Sequence, residues 1–328
     1  MPDAGAVLDW RSTDRRRGHA ARSHCACLVD RVGTMRLDPS TVRERARLLE
    51  ALQSPCRLCQ RACGADRAAG DAGFCRATAL PKVASFGPHF GEERELVGGR
   101  GSGTIFFSHC SLGCSFCQNF DISHLGYGRE VTTSAIADMM VELEASGCAN
   151  INLVTPTHYA PQAVSALASA RERGVELPVV YNCGGYESTE ALKLLEGVVD
   201  IYMPDAKFGE GAVAGRLCGA PDYPELMLLA LEEMQRQVGD LVIGRDGLAS
   251  RGLLIRHLVM PENLAATDRV LDMIASRVSP RAAVNVMSQY RPCGDAVGRP
   301  GPTGRPLTGA EHRAAVDHAR SLGLRVLQ

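Results

Sequence analysis

Residues Thr104–Ser123 read "TIFFSHCSLGCSFCQNFDIS". An apolar run leads straight into Cys110, Cys114 and Cys117, spaced C-x3-C-x2-C. "TIFFS" has the continuous apolarity of a strand covered on both faces, the kind found in parallel sheets. The same grammar repeats to the C-terminus. Apolar runs fall at 150–156, 177–183, 198–206, 252–261 and 282–290. Helix-period segments alternate with them at 134–147, 161–174, 188–197, 224–239, 264–279 and 308–323. Ser134 is a candidate cap and Gly147 a stop signal. Six strand–helix units in alternation predict parallel strands joined by crossover helices. The glycine run "GGRGSG" (98–103) precedes a strand instead of joining a strand to a helix, which excludes a dinucleotide fingerprint.

The chemically informative residues recur where those strands end. They are Cys110, then Thr155, Thr157 and His158 in "TPTHY", Asn182 in "YNCGGY", and Asp205 and Lys207 in "MPDAK". Arg256 and His257 follow in "RHLVMP", and Gln289, Tyr290, Arg291 and Cys293 in "SQYRPCG". In a barrel of parallel strands the chemistry collects at the C-terminal rim. One composite site therefore explains the recurrence, in an open, partial (β/α)6 TIM-like barrel.

Upstream, "CRLCQRACGADRAAGDAGFC" places Cys56, Cys59, Cys63 and Cys75 in a C-x2-C-x3-C-x11-C spacing. Four thiolates suit a closed tetrahedral zinc site or a fully ligated iron–sulfur cluster, and the spacing leaves both open. The triple-cysteine loop has one ligand fewer. His109 or His124 would complete it for zinc, whereas a cubane cluster would keep one iron open to a small molecule. Cys148, Cys183 and Cys218 stand alone and read as small core residues, and Cys25 and Cys27 receive no role. The expected organisation is an N-terminal extension (1–54), partly disordered with a helix at 41–53, a cysteine-rich segment and connector (55–100), and the barrel (101–328).

Bulk composition fits this picture. The 328 residues are 45% hydrophobic and 22% charged, with a formal net charge of −1. No global field draws such a chain to nucleic acid or an anionic membrane, and no apolar run reaches the length of a membrane span. Thirteen cysteines, seven of them in two tight groups, with no secretory pattern at the start, predict a reducing cytoplasm and thiols kept for metal or redox work.

C-x3-C-x-aromatic-C after a first barrel strand resembles the radical SAM superfamily, on Cys110, Cys114, Phe116 and Cys117. The resemblance implies a four-iron, four-sulfur cluster whose open iron chelates S-adenosylmethionine (SAM). It implies reductive cleavage to methionine and a 5′-deoxyadenosyl radical, followed by hydrogen-atom abstraction. Phe116 would pack near adenine. The chain from about 56 to 293 resembles the pyruvate formate-lyase (glycyl-radical) activating enzymes, closest to a branch with an N-terminal four-cysteine segment. "CQN" (117–119) is similar to their Cys-His-Asn, with Gln118 in place of His beside Asn119. "DAK" is similar to their Asp-x-Lys, implying SAM and monovalent-cation contacts for Asp205 and Lys207, and "RHLVMP" implies a SAM contact for His257. The usual Gly-Gly-Glu-Pro that receives the SAM amino group is "VTPTHY" here, leaving Thr155, Thr157 and His158 as acceptors. A one-electron donor such as flavodoxin or ferredoxin is implied, with a partner glycyl-radical enzyme or a small molecule as hydrogen donor. The alternative from another class is a zinc-binding structural or interaction protein.

Overall fold

Strand and helix alternate along the chain in the computed structural model, which describes residues 36–327. Most of the expected extension, with Cys25 and Cys27, lies outside the described residues. The strands are β1 (Lys82–His89), β2 (Ser102–Phe107), β3 (Arg129–Glu130), β4 (Ile151–Val154), β5 (Val179–Cys183), β6 (Ile201–Pro204), β7 (Val242–Ile243), β8 (Ala249–Leu258), β9 (Ala283–Met287) and β10 (Arg325–Leu327). They hydrogen-bond in the order β10-β9-β8-β6-β5-β4-β2-β1-β3, with β7 on β8. β2, β4, β5, β6, β8, β9 and β10 run parallel, whereas β1 is antiparallel on β2, β3 on β1 and β7 on β8. The path has two ends that do not meet, so the sheet is an open, partial α/β barrel. The six expected strands are all present. β10 adds a seventh parallel strand, and an antiparallel edge is added by β1, from the connector, and by the two-residue β3, from the barrel segment after the cysteine loop.

The pleat decides what each strand offers to each side. Val180, Ile201, Met203, Leu254 and Ala283 pack together on the concave face. Their neighbours Tyr181, Tyr202, Leu253 and Val284 pack in the larger core shared with the helices. Leu96, from the short helix Arg94–Val97, plugs the concave side and is fully buried. Asn150 Nδ2 holds that plug by donating to Leu96 O at 2.8 Å.

Helix boundaries follow their caps. The helix Thr133–Ala145 begins one residue before Ser134, because Thr132 Oγ1 accepts from Ala135 N at 3.2 Å. The helix Pro39–Glu50 starts at Asp38, whose carboxylate accepts from Ser40 N and Thr41 N, and it packs against the helix Ala160–Glu172. Between the expected strand at 198–206 and the expected helix at 224–239, a further helix spans Gly211–Cys218 and stops at Gly219, in the left-handed conformation. Among the described residues no helix is long and apolar enough to cross a membrane.

Candidate cofactor site

β2 ends at Phe107, and the chain turns at once into the cysteine loop. His109, directly before Cys110, has φ 72, and Thr155, directly after β4, has φ 58. Non-glycine residues in that region carry strain of order 1–3 kcal/mol and concentrate at functional rims. Cys110, Cys114 and Cys117 face one another electrostatically. Burial pushes the Cys110 thiol up to about 12 and raises Cys117. A neighbouring Cys218 thiol and then burial raise Cys114, while Lys207 pulls it down. These thiols are protonated on their own, so a metal or cluster that takes them as thiolates must displace their protons.

The rim residues of adjacent strands are laced together. His158 Nε2–H donates to Ser108 O at 2.7 Å, and Thr155 N donates to Asn182 O at 2.8 Å. The Tyr223 hydroxyl lies 2.8 Å from Gly184 O and 2.7 Å from Asp205 O, and accepts from Lys207 N at 3.0 Å. Lys207 Nζ meets Asp205 Oδ2 at 2.5 Å. Burial works against the Lys207 charge, but Asp205 and Cys114 outweigh it, and its affinity for the proton is raised well above the ordinary value. Asp205 and Lys207 both act electrostatically on Cys114, which ties the end of β6 to the cysteine loop. Phe116 is buried with its ring 5.9 Å from Phe208 and 6.0 Å from Tyr290. Gln118 is exposed and donates to Gln289 O at 2.9 Å, and exposed Asn119 opens the short helix Phe120–Ser123.

Three expected cofactor contacts sit elsewhere. His257 shares the parity of Leu253 and Ile255 and faces the helices, not the concave side. Its Nδ1–H donates to Ala206 O at 2.6 Å and its Nε2 accepts from Thr267 Oγ1 at 2.9 Å. Both nitrogens are used, so the ring has no atom left for a cofactor. The side chain of Thr157 is turned to buried Glu187, at 2.8 Å, and His158 is wholly buried. Arg256, one residue before His257, takes the concave position. Its guanidinium binds Glu93 at 2.8 and 2.6 Å and also Glu92. Asn285 donates to Glu93 at 2.7 Å and His89 to Glu92 at 3.1 Å. This acid–arginine floor beneath Asp205 gave no sequence signal beyond the bare "GEERE".

The four-cysteine segment docks on the same rim. Cys59 bridges Glu187 in antiparallel fashion, and Gln60 N donates to Tyr186 O at 3.1 Å. Cys56, Cys59, Cys63 and Cys75 act on one another electrostatically. As the side chains stand, no three Cys, His, Asp or Glu among the described residues would cage a single metal ion. The chemistry of the surroundings nonetheless suits an anionic thiolate site. Arg67, 2% exposed, donates to Cys75 Sγ at 3.0 Å and to His158 O at 2.5 Å, with its Nε unpartnered. A buried guanidinium without a carboxylate is costly unless negative charge lies beside it.

Fold and site together define an open α/β barrel carrying a triple-cysteine loop at the C-terminal end of its first parallel strand. The chain is 31% identical over 265 residues to Uncharacterized protein MJ0674 of Methanocaldococcus jannaschii, covering 77% of this chain and 71% of that protein, and it belongs to that protein's family. No family model matches it. Among solved structures, the radical S-adenosylmethionine methyltransferase TsrM from Kitasatospora setae, with cobalamin and a [4Fe-4S] cluster bound, aligns with a TM-score of 0.42 and 14% identity. That alignment covers 56% of this chain and 36% of TsrM. The same enzyme with tryptophan and the SAM analogue aza-SAM aligns at 0.40 and 13%, covering 54% and 34%. The chain thus spans about a third of TsrM's length.

Proposed function

We propose that this protein is a radical SAM enzyme, with Cys110, Cys114 and Cys117 as the ligands of a four-iron, four-sulfur cluster. The observation that carries the reading is the cysteine loop's place at the end of β2, with Phe116, between Cys114 and Cys117, packed 5.9 Å from Phe208, the residue that follows Lys207 at the end of β6. Three thiols on one loop are a sufficient set only where the vacant position is used. A fixed ammonium and carboxylate beside that loop are suited to a zwitterionic ligand such as SAM. When bound, cluster and SAM would supply reductive cleavage and a carbon radical able to take a hydrogen atom.

The chain's own residues bind and orient. The Lys207 ammonium, kept charged, attracts a carboxylate. Phe116, within the loop and braced by Phe208 and Tyr290, offers an apolar wall beside the thiols. Thr155 and Asn182 reach the rim from β4 and β5 as acceptors for an amino group. Asp205 holds the Lys207 ammonium, and its carboxylate is also where a monovalent cation would sit once the ammonium turns to a bound carboxylate. The four-cysteine segment is read as a second, anionic metal–thiolate site, on the evidence of Arg67. The chemistry requires an external one-electron donor of the flavodoxin or ferredoxin class. The hydrogen donor is a glycine of a partner glycyl-radical protein or a small molecule.

Anaerobically purified protein is expected to be brown, to contain iron and sulfide, and to release 5′-deoxyadenosine and methionine from SAM with dithionite. Cys114→Ala should abolish that release. A colourless, zinc-replete protein that makes no 5′-deoxyadenosine after reconstitution favours the zinc-binding structural reading and overturns this one.

A further inference from the structure

Cys218 is the last residue of the helix Gly211–Cys218, and its sequence context gives it no partner. In the fold its Sγ lies 3.2 Å from Cys114 Sγ, and both residues are buried. The pairing does not depend on the sulfurs alone. Ser115 N donates to Leu217 O at 2.9 Å, joining the cysteine loop to the end of that helix. Arg61, from the four-cysteine segment, donates to Cys218 O at 2.6 Å and Gly219 O at 2.5 Å. The same guanidinium donates to Ser111 O at 3.1 Å and Leu112 O at 3.0 Å, on the cysteine loop itself. Backbone bonds therefore fix where Cys218 stands relative to Cys114, whatever Cys114 ligates.

We propose that Cys218 is a positioning residue for the cluster, whose S–H donates to the Cys114 sulfur and raises the reduction potential. The inference rests on the reading of Cys110, Cys114 and Cys117 as cluster ligands. A hydrogen bond to a ligating sulfur stabilises the electron-rich, reduced state more than the oxidised one, and such bonds are among the protein's levers on cluster potential. Buried sulfurs exclude competing water, which strengthens the bond. Without the donor, the cluster is harder to reduce. Cys218 is not itself a ligand in this arrangement, so the count of iron and sulfide does not depend on it.

The test is a redox titration of the reconstituted full chain, followed by the EPR signal that changes when SAM is added; this separates the site from any second cluster. Cys218→Ala should leave iron and sulfide content unchanged and lower the reduced-to-oxidised ratio at fixed potential about tenfold, or about 59 mV for one electron. Cys218→Ser keeps a donor on a slightly smaller side chain, and should restore part of that shift. An unmoved potential in Cys218→Ala with full iron content overturns the inference, as does loss of the SAM-responsive cluster in both variants, which would make Cys218 a ligand. If the unsubstituted chain takes up no SAM-responsive cluster, it is the proposed function that fails, before the Cys218 variants are compared.

Discussion

Arg61 Nη2 donates to Leu112 O at 3.0 Å, so a residue between two cysteines of one group holds a residue between two cysteines of the other. The guanidinium makes three further bonds to Ser111, Cys218 and Gly219, and lies 3.8 Å from the Phe74 ring centroid. Arg61→Met keeps an unbranched apolar stem but removes every donor. Hydrogen bonds from charged groups are worth about 1.5–3 kcal/mol, and half-buried carbonyls recover part of this from water. The expected loss is about 2–4 kcal/mol in urea unfolding, with less iron retained on the Cys110–Cys117 loop. Equal stability and equal iron content in Arg61→Met would show that the strap holds nothing.

Gly185 bears on the rim from a different side. Its φ is +74, and an added Cβ would lie 2.5 Å from Asp205 O and 3.1 Å from the Tyr223 hydroxyl. Those two groups hold the end of β6 in register with β5. Gly185→Ala should therefore cost about 1–2 kcal/mol for the left-handed backbone alone, and push Asp205 and Lys207 off their positions. SAM affinity measured by calorimetry on the reconstituted protein should fall at least about tenfold, roughly 1.4 kcal/mol. Unchanged affinity would remove Asp205 and Lys207 from the SAM site.

The strands were readable because each is covered on both faces, and an uninterrupted apolar run is the mark of that environment. β10 was not, since three residues at a chain end give no period, and the helix Gly211–Cys218 was hidden by its two glycines. The site divides in the same way. Cysteine spacing is local and therefore legible. Which of Arg256 and His257 faces the site depends on strand parity, which adjacent residues in an apolar run do not reveal. Arg61, Glu92, Glu93 and Cys218 act through partners dozens of residues away, and a single sequence carries no trace of those pairings.

Glu92 and Glu93 are expected to make Arg256 indispensable near neutral pH. Arg256→Met leaves two buried carboxylates without their cation, a loss of about 3–5 kcal/mol. Despite burial, His89 and Arg256 hold the Glu92 carboxyl down to about 2, from an ordinary 4.5. A depressed carboxylate contributes stability that is full above the unfolded value and lost as pH falls from about 4.5 towards 2, here about 3 kcal/mol. In Arg256→Met the stranded Glu92 carboxylate, buried and without that cation, instead gains a proton readily. Its deficit should shrink as urea titrations move from pH 7 to pH 4, and a deficit constant over that range would contradict the ion network.

His257 yields a prediction of opposite character. Burial lowers its pKa to about 4, against an ordinary 6.5. The Ala206 carbonyl can only accept, so Nδ1 carries the proton and Nε2 is left to accept from Thr267. Protonating Nε2 would put a donor against that hydroxyl and a charge in the core. The unfolded chain takes up a proton below pH 6.5 and the folded chain does not until about 4, so stability falls with pH across that window. By pH 5 the loss is about 2 kcal/mol relative to pH 7.5. His257→Gln retains polar atoms but does not titrate, so the difference in unfolding free energy from urea titrations between pH 7.5 and pH 5 should narrow by that amount. The same variant should bind SAM as the parent does, since neither ring nitrogen is free, whereas Lys207→Met should bind it at least about tenfold more weakly. Weakened binding in His257→Gln, with unfolding unchanged at pH 7.5, would mean that the imidazole leaves Thr267 for the cofactor.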